Sequence, residues 1–381
     1  MFTRNLQKPL TFNKSFFLFG PRGSGKTQWL KSNLPDALYF DLLKAKWRNV
    51  FLADPGELEK SIPKDFSGWI VLDEVQKVPS ILDEVHRLIE TYGYKFVLIG
   101  SSARKLKQKE VNLLAGRART YHLYPLIAAE LGDAFDAKKY LSVGGLPEAY
   151  LSDDPDEFLQ GYISTYLYEE ILQESLVRNL EGFARFLQSA SLVQGNVLNV
   201  SDVARDCAVK QKTVANYFSL LDDLLMSFHL PAFTRRAKRR LIQHPKFYLF
   251  DVGVYRAVRP RGLLDSPEEI DGAALETVFL QHIRAINDYF SLAYQVNYWR
   301  TSDGKEVDFV LYGEKGFFAF EIKRSSKINR SDLSGLKAFK KDYPEAKCYV
   351  VYGGHEQEYK DNFTLLPLAY ALENLVDILN E

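Results

Sequence analysis

The sequence predicts an α/β protein that begins with a parallel sheet, continues through a helical region and ends in a second α/β unit. Three observations predict this class. Short apolar runs alternate with longer helical patterns between about Phe16 and Leu126. An acidic stretch and a helix-turn-helix pattern follow, between about Asp153 and Leu230. The alternation of helices and strands resumes after about Asp265.

Length and composition agree with several domains of ordinary globular type. The chain has 381 residues, of which 46% are hydrophobic and 26% charged. At about 150 residues per domain this length suits two to three domains. We place the domains at residues 1–150, 151–262 and 263–381. The composition excludes disordered, collagen-like and coiled-coil proteins.

Charge and cysteine content narrow the class of protein further. The 49 Lys and Arg residues balance 49 Asp and Glu residues, so no overall field draws the chain to nucleic acid or to a membrane. The two cysteines are too few for a disulfide framework. No run approaches the ~20 apolar residues that a membrane span needs, and no signal-peptide core follows Met1. We therefore expect a cytoplasmic protein without a membrane partner.

Five strands are predicted in the first domain. Their sequences are too apolar for a half-exposed sheet and suit burial on both faces, as in a parallel sheet. The predicted strands are Phe16–Phe19, Ala37–Phe40, Ile70–Leu72, Lys95–Ile99 and Thr120–Leu123.

A phosphate-binding loop follows the first strand. Residues 20–27 read GPRGSGKT and match G-x-x-x-x-G-K-[ST], between that strand and a helix predicted over Gln28–Ser32. Glycines let backbone N–H groups point at phosphate oxygens, Lys26 would neutralise the β- and γ-phosphates, and Thr27 would bind Mg²⁺. The predicted nucleotide contacts in this loop are Gly20, Pro21, Arg22, Gly23, Ser24, Gly25, Lys26 and Thr27. The expected cofactors are ATP and Mg²⁺.

Polar residues follow the later strands of this sheet. Asp73 would hold Mg²⁺ through water, and Glu74 would deprotonate the attacking water, so hydrolysis is expected. Ser101, after the fourth strand, would contact the γ-phosphate or the attacking water, or else cap a helix. Arg117 would reach a neighbouring subunit's γ-phosphate, or else lie on the surface.

Together, the segments GPRGSGKT, WIVLDEVQ, FVLIGSSARKL and LLAGRARTYHLYPL resemble the AAA-type (AAA+) P-loop ATPase domain of a widespread prokaryotic family. Members of that family carry a C-terminal domain of uncharacterised role. The resemblance implies a homo-oligomeric ring. The sequence itself does not fix the number of subunits: a hexamer, a heptamer and a nucleotide-dependent monomer are all compatible with it.

A helix-turn-helix pattern occupies the middle of the chain. Ser201 is predicted to cap a helix over Asp202–Asp206, and a second helix is predicted over Lys210–Leu224. The pattern resembles a winged helix-turn-helix. Its second helix would direct Lys210, Gln211, Lys212 and Asn216 outward and Val214, Phe218 and Leu221 inward. Nine cationic residues and one acidic residue lie between Thr234 and Arg261, and such a segment would bind DNA phosphates or serve subunit packing.

The last domain is predicted to bring two carboxylates and a lysine together. Its predicted elements are helices Gly272–Tyr289 and Ser331–Lys341 and strands Ser291–Trp299, Glu306–Leu311, Phe317–Lys323 and Lys347–Tyr352. On adjacent strands, Asp308 and Glu321 would bind Mg²⁺ and Lys323 would position the attacking water, as in a metal-dependent phosphodiesterase. Glu276 on the preceding helix would complete the metal site.

This arrangement resembles the PD-(D/E)XK nuclease superfamily, and the resemblance implies a restriction-endonuclease-like fold. The alternative is a cross-strand ion pair of the common kind. Such a fold can also persist as a DNA-binding or packing module without catalysis.

Three functions are compatible with these features. The leading hypothesis is an ATP-hydrolysing motor or gate that acts on DNA, including branched DNA, and presents it to the nuclease-like domain. The second is a nucleotide-dependent signalling or assembly switch whose last domain only binds DNA or protein. The third is a metal-dependent endonuclease for which ATP binding only permits cleavage. Turnover stimulated by DNA would separate the first from the second.

Overall fold

The computed structural model describes residues 2–101, 118–167, 171, 179–260, 262 and 266–380. The chain forms two compact units. The P-loop unit contains Arg4–Tyr124 and Asp223–Leu225, and the C-terminal unit contains Met1–Thr3, Pro125–Asp222 and Met226–Glu381. Among the described helices, none combines the length and the apolar character that crossing a bilayer requires.

The P-loop unit is built on five strands that run parallel to one another. The strands are β1 Phe16–Phe19, β2 Leu38–Asp41, β3 Trp69–Asp73, β4 Lys95–Gly100 and β5 Arg119–His122, in the order β2-β3-β4-β1-β5. The prediction of a five-stranded parallel sheet is therefore confirmed. Every residue of β1 is buried, as its uniformly apolar sequence requires.

Helices of the P-loop unit cover the sheet. They are α1 Lys8–Phe12, α2 Lys26–Asn33, α3 Ala45–Ala53, α4 Glu57–Lys60 and α5 Ile81–Tyr92. Helix α2 begins at Lys26, earlier than predicted, because Gly25 takes a left-handed conformation (φ 91°) and ends the loop there. Leu82, Val85 and Leu88 of α5 are buried against the apolar sheet.

The first half of the C-terminal unit is helical. Its helices are α6 Ala128–Leu131, α7 Ala137–Val143, α8 Pro147–Leu151, α9 Pro155–Gly161, α10 Leu180–Leu192, α11 Val200–Asp206 and α12 Gln211–Asp223. Asn199 caps α11 by accepting a hydrogen bond from the Ser201 backbone N–H at 3.1 Å. The prediction that Ser201 is the cap is therefore wrong, because an asparagine two residues earlier offers the better acceptor.

Helix α12 has the two faces that the sequence predicts. Val214, Phe218 and Leu221 are buried, whereas Lys210, Gln211, Lys212 and Asn216 are exposed. An antiparallel pair follows, formed by β6 Ser227–Leu230 and β7 Lys246–Leu249. The segment between these two strands contains the exposed residues Arg235, Arg236, Lys238, Arg239 and Arg240.

The second half of the C-terminal unit is a mixed six-stranded sheet with helices. The helices are α13 Val252–Val258, α14 Pro267–Tyr289, α15 Ser334–Asp342, α16 Leu368–Glu373 and α17 Leu375–Ile378. The strands are β8 Gln295–Arg300, β9 Glu306–Gly313, β10 Gly316–Lys323, β11 Lys347–Tyr352, β12 Glu358–Lys360 and β13 Phe363–Pro367. Their order is β12-β13-β11-β10-β9-β8; the neighbouring pairs β10–β11 and β11–β13 are parallel, and the other neighbouring pairs are antiparallel.

Helix α14 begins at Pro267 rather than at the predicted Gly272. The side chain of Ser266 accepts a hydrogen bond from the Glu269 backbone N–H at 3.1 Å, and proline occupies the first helical position. Strands β12 and β13 and the last two helices were not predicted, because their apolar runs are too short to distinguish strands from helices.

Candidate functional site

The loop at residues 20–27 has the shape of a phosphate cradle. A Cβ on Gly20 would lie 2.3 Å from the Leu123 carbonyl oxygen, so only glycine fits this close approach to the end of β5. The Lys26 ammonium group donates hydrogen bonds to the carbonyl oxygens of Gly20 at 2.7 Å and Pro21 at 3.0 Å. The loop therefore holds its lysine in the cradle, where bound phosphates would replace these carbonyl partners.

Arg4 holds the same loop by hydrogen bonds to backbone carbonyl oxygens. Its guanidinium group donates to the Ser24 carbonyl oxygen at 2.8 Å and to the Tyr124 carbonyl oxygen at 2.5 Å. The side chain is buried. One cation thus ties the phosphate-binding loop to the segment after β5, a role that the sequence analysis missed.

Asp73 ends β3 beside the neighbouring strand β2. Tyr39 on β2 donates a hydrogen bond to the Asp73 carboxylate, and its hydroxyl group also contacts Thr27. Burial and the adjacent Asp73 raise the pKa of Tyr39 far above its ordinary value, so the phenol stays protonated as a donor. A hydroxyl and a carboxylate are suitable oxygen ligands for Mg²⁺, so the donors Thr27 and Asp73 fit the predicted ion.

Glu74 lies directly after Asp73 in a left-handed conformation (φ 58°). The Gln76 amide donates to the Glu74 carboxylate and, at 3.2 Å, to the Ser101 hydroxyl at the end of β4. Burial raises the pKa of both Asp73 and Glu74, while attraction to Lys26 opposes this increase. A raised pKa suits a carboxylate that accepts a proton from water.

The nucleotide-site residues predicted from the sequence mostly come together. The described residues include every predicted loop contact as well as Asp73, Glu74 and Ser101. Arg117 lies outside the described residues, so its role stays a prediction. Tyr39, Gln76 and Arg4 were missed. Only Gln76 had a local signal, an amide two residues after Glu74 in the segment LDEVQ.

A second cluster of ionisable groups lies in the C-terminal unit. The Asp308 carboxylate accepts a hydrogen bond from the Ile322 backbone N–H at 2.8 Å. Lys323 donates to Glu321 at 2.6 Å. Glu276 on α14 accepts from the Tyr248 hydroxyl at 2.6 Å. The structure therefore gathers the residues that the sequence assigned to a nuclease-like metal site.

The centre of this acidic cluster is a lysine. The ammonium nitrogen of Lys246 on β7 lies 2.5 Å from a Glu306 oxygen, 3.4 Å from a Glu276 oxygen and 3.6 Å from an Asp308 oxygen. Its side chain is 2% exposed. Although burial opposes its charge, attraction to the surrounding carboxylates raises the pKa of Lys246 well above its ordinary value.

These surroundings do not fit a divalent cation at Glu276, Asp308 and Glu321. Within the described ranges, no group of three or more His, Cys, Asp or Glu residues is arranged to hold a metal ion. The physical reason is that Lys246 lies against two of the three predicted ligands. Its contribution could not be predicted, because Lys246 and Asp308 are far apart in the sequence.

Three family models match the sequence in consecutive segments. Residues 12–132 match a model described as an AAA domain. Residues 134–265 and 271–371 match models described as domains of unknown function, DUF8612 and DUF4143.

Curated relatives are uncharacterized proteins. The chain is 26% identical over 312 residues to one from Mycobacterium bovis and to one from Mycobacterium tuberculosis, covering 79% of this chain and 68% of each relative. It is 21% identical over 260 residues to one from Haemophilus influenzae, covering 64% of this chain and 62% of that protein.

Two solved structures are similar only at a low level. One is the Aeropyrum pernix ORC1 protein in complex with DNA, at 15% identity and a TM-score of 0.25, covering 64% of this chain and 86% of that chain. The other is protein VC1899 from Vibrio cholerae, at 12% identity and a TM-score of 0.23, covering 96% of this chain and 97% of that chain. Such scores bear on neither fold nor function. The match to an AAA domain, together with the loop ending at Lys26 and Thr27, supports an AAA-type P-loop ATPase.

Proposed function

We propose that this protein hydrolyses ATP with Mg²⁺ and acts on DNA as a motor or gate. One observation carries the ATPase part of the proposal. Tyr39 hydrogen-bonds both Thr27, next to Lys26 in the phosphate-binding loop, and Asp73 at the end of β3, and Glu74 follows Asp73 directly. A phosphate-binding cation, a ligand for Mg²⁺ and a base for water therefore share one site.

Each residue of this site has a distinct part in hydrolysis. Lys26 would leave the carbonyl oxygens of Gly20 and Pro21 and bind the β- and γ-phosphates. Thr27, and Asp73 through water, would hold Mg²⁺, which would supply positive charge to offset that of the phosphates. Glu74 would take a proton from the attacking water.

The DNA part of the proposal rests on exposed cations of the C-terminal unit. Helices α11 and α12, followed by the pair β6 and β7, have the order of elements found in a winged helix. Lys210, directly before α12, and Lys212, on α12, are exposed. The segment between β6 and β7 adds five exposed arginine and lysine residues. Clustered cations of this kind bind the phosphate backbone.

The proposal includes assembly into a homo-oligomeric ring, such as a hexamer. In a ring, Arg117 of one subunit would stabilise the transferred phosphoryl group bound by its neighbour. Mixing Arg117→Ala subunits with Lys26→Ala subunits tests this arrangement. Recovery of turnover in the mixture is expected, since a Lys26→Ala subunit still supplies Arg117 to its neighbour.

Steady-state ATP hydrolysis with Mg²⁺ tests the main proposal. The purified protein is assayed alone and with single-stranded, duplex and four-way-junction DNA, and Lys26→Ala is the blank. We expect turnover above the blank and stimulation by at least one form of DNA. Turnover that no DNA form changes would contradict the DNA part and leave the ATPase part in place.

A second candidate function is a nucleotide-dependent assembly switch, in which the last domain only binds DNA or protein. The observation that favours it is the hydrogen bond from Gln76 to Glu74, which occupies the carboxylate needed for hydrolysis. A switch would retain one nucleotide per subunit through gel filtration and turn it over slowly. Rapid exchange of labelled ATP would contradict the switch.

Metal-dependent cleavage of DNA lies outside the proposed function. The sequence assigns this activity to Asp308, Glu321 and Lys323. In the structure the ammonium group of Lys246 lies among the carboxylates, where a metal ion would have to bind. A search for cleavage of the three DNA forms with Mg²⁺ or Mn²⁺ accompanies the ATPase assay, and no product is expected.

A further inference from the structure

The acidic cluster of the C-terminal unit draws its charges from four elements. Glu276 lies on α14, Glu306 and Asp308 lie on β9, and Glu321 lies on β10. Lys246, from β7, is the group that contacts both α14 and β9. Because Lys246 is almost fully buried, its ammonium group relies on these carboxylates to balance its charge.

Cations already balance most of the negative charge in the cluster. Lys246 pairs with Glu306 at 2.5 Å, Lys323 pairs with Glu321 at 2.6 Å, and Arg300 pairs with Glu306 at 3.3 Å. Three cations therefore face four carboxyl groups, and one negative charge remains if all are ionised. A divalent ion added to this cluster would leave an uncompensated positive charge in a buried place, which is strongly unfavourable.

The second observation is how Lys246 is held. Its ammonium group lies 5.6 Å from the ring centroid of Tyr298 on β8. At this distance the face of the aromatic ring attracts a cation. Tyr248, two residues along β7, donates to Glu276 at 2.6 Å and so brings the carboxylate of α14 to the same strand. Lys246 and Tyr248 of β7 therefore both contact the acidic cluster.

We propose that Lys246 is a built-in cation of the acidic cluster, which makes the cluster an ionic lock between β7, β9 and α14 instead of a divalent-metal site. The lock joins the antiparallel pair β6 and β7 to the six-stranded sheet of the same unit. This inference does not depend on the proposed ATPase, because the cluster belongs to the C-terminal unit and the lock requires no nucleotide.

Titration with Mn²⁺ in the absence of nucleotide tests the lock. Free Mn²⁺ is measured by its electron paramagnetic resonance signal, with the full-length wild type and Asp308→Asn side by side. We expect identical curves, because the wild-type cluster takes up no Mn²⁺. Uptake of one Mn²⁺ per chain by the wild type, lost in Asp308→Asn, would overturn the proposal.

Removal of the lysine should create the metal site that the sequence predicts. Lys246→Met leaves the four carboxylates with two cations, and we expect it to bind one Mn²⁺ per chain and to gain thermal stability from Mn²⁺. Adding Asp308→Asn should abolish both effects. Lys315→Met, which removes an exposed lysine outside the segment between β6 and β7, is the matched control and should behave as the wild type.

The outcome stays informative if Lys246→Met folds poorly, because the comparison of the wild type with Asp308→Asn decides the question alone. A folded Lys246→Met that takes up no Mn²⁺ would show that something other than the lysine keeps metal out. That result would overturn the role given to Lys246.

Discussion

The side chain of Glu74 is partly buried, and the Gln76 amide donates a hydrogen bond to its carboxylate. Glu74→Gln keeps the size of the side chain and removes its ability to accept a proton. We expect turnover to fall by about 10²–10⁴-fold, the usual contribution of a general base, while ATP still binds. Turnover and nucleotide retention measured on the same preparation check this, and undiminished turnover would remove Glu74 from its role.

Arg4 offers a second test at the scale of single residues. Its two hydrogen bonds to the Ser24 and Tyr124 carbonyl oxygens hold the phosphate-binding loop to the segment after β5. A hydrogen bond from a charged group contributes about 1.5–3 kcal/mol. Arg4→Ala should therefore raise the KM for ATP by roughly tenfold or more, with a smaller effect on kcat.

Two control variants accompany Arg4→Ala. Arg4→Lys retains the charge but not the forked geometry, so a partial effect is expected. Lys31→Ala removes an exposed cation from α2 of the same unit and should leave KM unchanged. Equal KM values for Arg4→Ala and the wild type would mean that the loop keeps its shape without this anchor.

At the scale of elements, the start of α11 depends on Asn199. The Asn199 side chain accepts hydrogen bonds from both the backbone N–H and the hydroxyl group of Ser201. Replacing a cap residue by alanine costs about 1 kcal/mol. Asn199→Ala should lower the free energy of unfolding by that amount, and Ser201→Ala should lower it less. Urea unfolding of the two variants compares them, and the reverse ranking would restore Ser201 as the cap.

Helices α6 and α14 meet through a neutral histidine. His282 on α14 accepts a hydrogen bond at Nε2 from the Ala128 backbone N–H at 2.9 Å and donates another from Nδ1 to the Val278 carbonyl oxygen at 2.8 Å. Burial lowers the pKa of His282 to about 4. The unfolded chain takes up a proton below pH ~6.5 while the folded chain does not, so stability is full above pH ~6.5 and falls towards pH ~4.

The loss from His282 over this pH range should approach about 3 kcal/mol. Urea unfolding at pH 7 and pH 4 measures it. His282→Gln cannot gain the proton, so its stability should depend less on pH than that of the wild type. His355→Gln, at an exposed position, is the control and should keep the wild-type dependence.

Local patterns sufficed for the strands of the first sheet but not for the ends of the predicted helices. The apolar runs of the first sheet predicted its five strands, because a strand buried on both faces needs an uninterrupted apolar sequence. The starts of α11 and α14 were misplaced, because several residues near each helix can act as the cap. The choice between Asn199 and Ser201 depends on backbone geometry that composition does not determine.

At the scale of the whole molecule, the two sites differ in how far sequence could define them. The nucleotide site is built from short motifs at the ends of parallel strands, so Lys26, Asp73 and Glu74 were predictable from local context. The acidic cluster depends on Lys246, which comes from a strand outside the six-stranded sheet. No local motif reveals the ion pair between Lys246 and Asp308. The lysine nevertheless decides whether the carboxylates can bind a divalent cation.

The proposed action on DNA makes a prediction for the chain as a whole, because its formal net charge is zero. DNA binding must then come from local charge, and the segment between β6 and β7 is the strongest candidate. Arg236, Lys238 and Arg240 are exposed there. Replacing all three by glutamine should weaken DNA binding and reduce the slope of log K against log salt by ~0.9 for each DNA phosphate that the variant no longer neutralises.

Fluorescence anisotropy at several salt concentrations measures both quantities. The matched control replaces Lys315, Lys327 and Lys341 by glutamine, since these exposed lysines lie in the same unit and their replacement changes the net charge by the same amount. If overall charge governed binding, the affinity of the two triple variants for DNA would fall equally. If the segment between β6 and β7 binds the phosphates, only the first variant should show a smaller salt slope, and only its ATP turnover should cease to be stimulated by DNA.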